Sequence, residues 1–336
     1  MHMADALISP AVGIAMMAAT AGAAAYSIKK VKPELDDKKV PFMGVMGAFV
    51  FAAQMINFTI PGTGSSGHLA GGILLAALLG PYAGFLTLLS VLLVQALFFA
   101  DGGLLAYGAN VFNMGFYACF IAYPLIMKFI LRKGYSPKRI FAGSMLASIT
   151  ALQLGAFSVV LETLLSGKTE LPFAVFASLM QPIHLAIGVV EGLVTAAVVT
   201  FVWRARPEIL EGPNLQRNLS PKPMKKVLIV FIVLALAVGG FVSWFASSNP
   251  DGLEWSMINT TGQAELEAQG EVYTQFSEAQ QNTAVLPDYG FKDSEAASAN
   301  AGTSVSGIVG AVITLAIAGL IGFLISFFRK RRRSAR

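Results

Sequence analysis

Stretches of apolar sequence long enough to cross a bilayer, separated by loops that alternate in basic content, constrain this chain more than any other feature. Nine candidates stand out: residues 6–28, 40–57, 68–79, 82–100, 104–131, 138–165, 172–203, 227–246 and 307–328. A spanning helix needs about 20 predominantly apolar residues, because each adds about 1.5 Å against a hydrocarbon core of about 30 Å. The stretch 68–79 falls short and reads as a partial span, tolerated only where neighbouring helices cover its ends. The chain is 55% hydrophobic and 13% charged, too apolar for a soluble protein of 336 residues. The first stretch has no basic residues before it and is longer than a secretory core segment, so it reads as a retained helix.

The loops fix an expected orientation, since cytoplasmic loops carry the excess of Lys and Arg. Residues 29–39 hold five Lys, 132–139 four Lys/Arg, 204–226 six and the tail after Phe328 six. The alternate loops are poor in base: 58–67 has no charge, 100–103 only Asp101, 166–171 one Lys and 247–306 only Lys292. The pattern predicts an all-α polytopic membrane protein with its N-terminus outside and its C-terminus inside. Seven spans form a core over residues 1–205; a linker, 206–226, is broken by Pro207, Pro213, Pro221 and Pro223. A two-span hairpin unit occupies 227–336. Its outer segment carries nine Asp/Glu and reads as solvated and partly folded, with a polar helix over 263–281. No long internal repeat is present.

Several classes are excluded. The basic residues are used up by cytoplasmic loops, which leaves no nucleic-acid footprint. The lone Cys119 lies in an apolar run, so no disulfide forms within the chain and a thiolate metal site is disfavoured. Gly167-Lys168-Thr169 ends like a phosphate loop, but Glu162 stands where that motif needs Gly. The chain has no Walker A motif, so ATP-driven work would need another subunit.

The chemistry concentrates in three histidines. His2 follows Met1 directly, where an α-amine, a deprotonated backbone nitrogen and an imidazole together can chelate a divalent transition metal. His68 closes the loop Gly62-Thr63-Gly64-Ser65-Ser66-Gly67-His68 on the same expected side and can supply a fourth nitrogen. Four nitrogens in a plane suit Ni(II), Cu(II) and low-spin Co(II), whereas zinc prefers a tetrahedron. His184 and Glu191 lie seven residues apart on one helix face within the membrane, where ionisable residues are costly and usually functional. Their roles stay open between inner ligands, support of the site, a translocation step and a tie between helices. Glu162 is expected near the outer end of its span, reaching water. Gln54, Asn57, Asn110 and Asn113 are candidates for a polar interior.

The Met1-His2 opening, the segment Gly62–Gly72 and the stretch His184–Thr195 with Glu191-Gly192-Leu193 together resemble the membrane substrate-binding component of cobalt/nickel energy-coupling-factor transporters, the CbiM/NikM family. The resemblance covers roughly residues 1–205. Ser247–Glu254, with Asn249-Pro250-Asp251-Gly252-Leu253-Glu254, and Pro287–Phe291 look like the PDGLE-type accessory domain, similar to NikN, often fused to it. The loop holds one residue more than the family signature, Gly-Thr-Gly-Ser-Ser-Gly, and residues near the start differ, but no nitrogen ligand is removed. The resemblance implies a metal site of Met1, His2 and His68, with Asn57, Ser66, His184 and Glu191 as supporting positions. It implies transport of Ni(II), with Co(II) as the alternative, in the cell membrane of a prokaryote. It also implies a CbiQ/NikQ-like transmembrane coupling subunit and CbiO/NikO-like ATPases as partners. A proton-coupled secondary carrier and an intramembrane metalloenzyme are the rival classes. The first needs two related halves with broken helices, and the second an open coordination position with a general base.

Overall fold

The computed structural model describes residues 1–31, 39–211, 224–292 and 299–334. In chain order its helices of eight or more residues are α1 (Pro10–Val31), α2 (Lys39–Gln54), α3 (Gly72–Leu79), α4 (Pro81–Phe98), α5 (Tyr107–Leu131), α6 (Pro137–Leu165), α7 (Phe173–Ala205), α8 (Met224–Gly240), α9 (Gly252–Thr261), α10 (Glu271–Thr283) and α11 (Ala299–Ser334). Between α2 and α3 a small antiparallel ribbon pairs β1 (Phe58–Ile60) with β2 (Ser65–Gly67). Among the described residues six helices are long and apolar enough to span a membrane: α1, α4, α5, α6, α7 and most of α11. The protein is therefore a multi-pass helical membrane protein. The expected basic loop at 32–38, linker residues 212–223, outer residues 293–298 and tail residues 335–336 lie outside the described residues.

Three expected spans are not among the six: α8 has 17 residues, and α2 and α3 are shorter still and persist by burial. α2 has 16 residues and buries every position from Phe42 to Gln54. α3 has eight residues, all buried, so no lipid meets its unpaired ends. The long helices surround these two. Leu125, Phe129, Phe141, Phe157, Leu185 and Phe323 stay exposed on their outer faces, an arrangement suited to hydrocarbon rather than water. α6 and α7 form an antiparallel pair that closes on small residues: a Cβ on Gly188 would lie 3.0 Å from Ile149 Cα, and one on Gly192 2.6 Å from Met145 Sδ.

The structure departs from the expected elements in ways that matter for the site. α1 begins at Pro10 rather than at residue 6, since proline suits the first helical turn and lacks the N–H that would extend the helix backward. This frees residues 1–9 to run elsewhere. The helix expected from residue 68 begins at Gly72, because the preceding amides of Ala70 and Gly71 are bound by Glu191 instead of helical carbonyls. The outer segment expected to be partly folded holds two helices where one was expected. A capping box between Asp251 and Glu254 starts α9, and Gly262, at φ +81°, ends it. Glu162 does not reach water: it is buried, accepting hydrogen bonds from Asn113 Nδ2 and Ser158 Oγ.

The hairpin unit packs on the core rather than standing apart. α11 lies along α2, where a Cβ on Gly310 would come within 2.0 Å of the buried Phe51 ring. Hydrogen bonds also sort the loops by end. The N-terminus, the 101 loop, the β ribbon and residues 247–289 meet at one end, while Tyr135 Oη donates to Leu210 O at the other. The base-poor loops are thus gathered together, away from two of the base-rich ones.

The contact between α2 and α11 makes a paired test. Gly310→Ala is expected to destabilise the protein by about 1–3 kcal/mol through overpacking, while Gly319→Ala, whose Cβ meets nothing within 4 Å, leaves it unchanged or slightly more stable. Thermal unfolding of the two variants in detergent reads the difference.

Candidate metal site

Residues 1–9 are threaded into the protein rather than left on its surface. Met1, Met3, Leu7 and Ile8 are buried, and Met3 is clamped like a strand by one side-chain amide. Met3 N donates to Asn110 Oδ1 at 2.7 Å, and Asn110 Nδ2 donates to Met3 O at 3.0 Å. Gly103 N also donates to Met3 O, and Ala106 N to Asp5 Oδ1 at 2.9 Å. These bonds satisfy backbone groups that would otherwise be buried and unpaired. They also fix where the amine and His2 can be.

His68 arrives from the opposite direction, at the end of the β ribbon. Its loop is held from both sides. Glu191, buried in the middle of α7, accepts from Ala70 N at 2.7 Å and Gly71 N at 3.2 Å. Gln54 Nε2 donates to Ala70 O at 2.9 Å. Gly71 adopts φ +76°, and a Cβ there would sit 2.6 Å from Val50 Cγ1, so the close turn onto α2 requires glycine. On the outer side Ser66 N donates to Pro250 O and Ser66 Oγ to Asn249 O, both at 2.8 Å, and Trp255 Nε1 donates to Thr63 O. Asn57 lines the cavity above and accepts from Ser247 N through its backbone carbonyl.

The structure brings Met1, His2 and His68 together. Met1 N lies 3.4 Å from His68 Nε2, and the His2 and His68 rings stack with centroids 5.0 Å apart. Both rings lie outside the spanning helices. Burial, then the neighbouring terminal ammonium, pushes His2 down to about 3. The same two causes, followed by the His2 ring, push His68 down to about 4. Both imidazoles are therefore neutral at pH 7, with one N–H each.

Each ring faces one carbonyl acceptor. His2 Nε2 faces Gln95 Oε1 at 3.2 Å, and His68 Nδ1 faces Leu69 O at 3.1 Å. In the tautomers with the N–H toward those carbonyls the lone pairs are on His2 Nδ1 and His68 Nε2, and Asp101 competes for the His2 proton from the other side of the ring. Nδ1 is the ring nitrogen closest to the residue's own backbone, the one that can share a chelate ring with its own amide. Gln95 is itself fixed, donating through Nε2 to Gln54 Oε1 at 3.0 Å. His2 Nδ1 also lies 3.3 Å from Asp101 Oδ1. Tyr289 Oη donates to Asp101 Oδ2 at 2.5 Å while its ring stacks on Phe99. Burial pushes the Asp101 carboxyl up, opposed by that tyrosine bond.

One carboxylate comes from the far end of the chain. Asp251 Oδ2 is 3.2 Å from Met1 N and 3.8 Å from His68 Nε2. Burial works against its charge, but the terminal ammonium and then His68 outweigh burial and hold it well below the usual carboxylate range. Above the site opens a cavity of about 1190 Å³, whose walls carry Asp5, Asp101, Asp251, Glu254, Glu265, Glu278 and Asp288 and, among the described residues, no Lys or Arg. Such a wall attracts cations. Below it is a pocket of about 10 Å³ between Met1, His68, His184 and Asp251, room for about one water. His184 Nδ1 faces Met180 O at 2.8 Å, and its buried Nε2 has no hydrogen-bond partner among the described residues.

Sequence reasoning named Met1, His2, His68 and the position of Glu191, but missed Gln95, the Asp101–Tyr289 pair and the reach of Asp251. Gln95 had a signal: like Gln54, it is an amide inside an apolar helix, where polar side chains need a reason. Asp251 had none, because nothing local ties residue 251 to residue 1.

Glu191 offers a test independent of any metal. Glu191→Ala leaves two buried N–H groups unpaired and is expected to cost about 2–3 kcal/mol in stability. Hydrogen exchange at Ala70 and Gly71 should accelerate markedly, whereas unchanged protection there would show that Glu191 does not hold the loop.

Comparison with known proteins shows the family. Residues 2–209 match the family described as "Cobalt uptake substrate-specific transmembrane region" (CbiM), and residues 225–327 match the PDGLE domain. The chain is 32% identical over 317 residues to the "Putative fused nickel transport protein NikMN" of Archaeoglobus fulgidus, covering 94% of this chain and 96% of that one. It is 32% identical over 199 residues to the cobalt transport protein CbiM of Sorangium cellulosum, covering 58% of this chain and 87% of that one. A crystal structure of a transition metal transporter superposes with a TM-score of 0.55 at 31% identity, over 63% of this chain and 96% of the other. This chain, a metal transport component, belongs to the CbiM family and continues into a PDGLE domain.

Proposed function

We propose that the protein captures Ni(II) from outside the cell at a planar, all-nitrogen site made by the Met1 amine, the His2 amide nitrogen, His2 Nδ1 and His68 Nε2. Co(II) is the alternative substrate. The observation that carries the reading is the meeting of Met1 N and His68 Nε2 at 3.4 Å, beside a His2 ring whose outer nitrogen is occupied by Gln95. Nickel is favoured because the relative named for nickel matches across both parts of the chain. The acidic cavity concentrates divalent ions above the site. With the N-terminus outside and the C-terminus inside, as the loop charges favour, that cavity opens to the exterior of a prokaryotic cell membrane.

Release inward requires work that this chain has no ATP-binding motif to perform. An energy-coupling-factor arrangement, with a transmembrane coupling subunit and two cytoplasmic ATPases, supplies it by reorienting the loaded protein. Ni(II) uptake into vesicles should need those ATPases, whereas uptake by the chain alone, driven by a proton gradient, would favour a secondary carrier.

The terminus is directly testable. One extra residue before Met1 removes the amine from the site, and equilibrium competition should show Ni(II) affinity falling at least a hundredfold, with loss of the planar absorption band. An extended protein that kept both would refute the amine's role.

Acid should weaken binding, since metal displaces protons from its ligands. His2 and His68 are held down to about 3 and about 4, so they stay neutral from pH 8 to 5 and contribute little there. The competing protons belong to the main-chain nitrogens, and affinity should fall roughly ten- to a hundredfold per pH unit as pH drops. A flat affinity between pH 8 and 5 counts against the site.

A further inference from the structure

The carboxylate of Asp251 has two oxygens with separate tasks. Oδ1 accepts from Leu253 N at 2.7 Å and Glu254 N at 2.9 Å, which caps α9. Oδ2 takes no part in the cap and faces Met1 N at 3.2 Å and His68 Nε2 at 3.8 Å. A helix cap needs only one oxygen, so the second is free for the site.

The segment carrying Asp251 is fixed to the His68 loop by the bonds from Ser66 to Pro250 and Asn249 and from Trp255 to Thr63. Gly252 lets that segment approach α7, since a Cβ there would stand 3.1 Å from Ile187 Cδ1 and 3.3 Å from His184 Cε1. Asp251 and His68 both line the outer acidic cavity and the small inner pocket, which places them at the throat between the two. The pocket beyond the throat also holds the buried Nε2 of His184, which has no hydrogen-bond partner among the described residues.

We infer that Asp251 is the PDGLE domain's own contribution to the metal site: its Oδ2 is the counter-ion of the terminal ammonium when the site is empty, and of the bound divalent ion when it is filled. This rests on the all-nitrogen site proposed above. Asp101 stands beside His2 in both states, and the charge that Asp251 faces is the same in both. Empty, the ammonium faces Asp251 Oδ2. Filled, a divalent ion on an amide nitrogen that has lost its proton carries one net positive charge, and the same carboxylate faces it. The ammonium and amide protons leave as the ion arrives. Without Asp251 each state would lose the carboxylate nearest the amine, which is costly. The PDGLE domain thereby has a chemical role at the metal site, and its motif sits against the signature loop to deliver it. Asp251 acts through charge and position, and the four nitrogens remain the planar ligands.

The experiment uses the full-length protein in nanodiscs. Ni(II) affinity is measured by competition with a chelator, and ligand geometry by the visible absorption of the loaded protein. Asp251→Asn and Asp251→Ser both preserve an N-cap while removing the charge, so hydrogen exchange over α9 should stay unchanged in at least one of them. Glu254→Gln removes a carboxylate on the same turn. The expected result is a planar band in every variant, exchange at the Met3 amide at least tenfold faster in both the empty and the loaded Asp251 variants, a Ni(II) affinity within about threefold of the parent because both states lose the same compensation, and no such change for Glu254→Gln. Met3 protection within twofold of the parent in both Asp251 variants overturns the inference, as does an equal loss in Glu254→Gln, which would mean a diffuse field. A parent protein lacking the planar nitrogen band instead overturns the site itself, and the role of Asp251 with it.

Discussion

A charged amine inside a membrane protein must have a partner, and in this structure the partner of Met1 is 250 residues away. That ion pair joins the two ends of the architecture. The first residues must leave the helical path before Pro10 to reach the interior, which they do by borrowing hydrogen bonds from Asn110, Gly103 and Ala106. The last domain must lay its outer segment across the core to deliver Asp251. Each requirement is met by satisfying buried polar groups one at a time, the only way such a path is stable where water is scarce.

The helices around this pair serve as a rigid frame. α2 and α3 are too short to cross a bilayer alone and are buried almost throughout, so they can carry Gln54 and end in the ribbon that bears His68. α4 contributes Gln95, and α7 contributes Glu191 and His184. A chain of amides runs from His2 through Gln95 and Gln54 to the carbonyl of Ala70, linking the two histidine-bearing segments by hydrogen bonds as well as by stacking. Supporting groups of this kind set which ring nitrogen is free for a metal.

Hydropathy and loop charge made the membrane class and most long helices legible in advance. Their boundaries shifted where a polar contact competed with helix formation: Glu191 withheld Ala70 and Gly71 from α3, and the Asp251–Glu254 box organised a segment whose acidity suggested little structure. Glu162 was misplaced for a related reason. Its partners Asn113 and Ser158 make burial tolerable, and Asn113 lies on another helix, invisible to any local window.

The sequence by itself determined the kind of protein this is and its principal donors. Apolar stretches of sufficient length dictate membrane helices whatever their partners, and a histidine next to a terminal amine has its chelating atoms fixed by covalent geometry. Only the tertiary structure decided that Met1, His2 and His68 converge, that Gln95 and Leu69 each face one ring nitrogen, and that Asp251 stands against the amine. Those outcomes depend on groups brought within about 4 Å across long stretches of chain, where hydrogen bonds and charges act at full strength. Spacing along the sequence carries no record of such contacts.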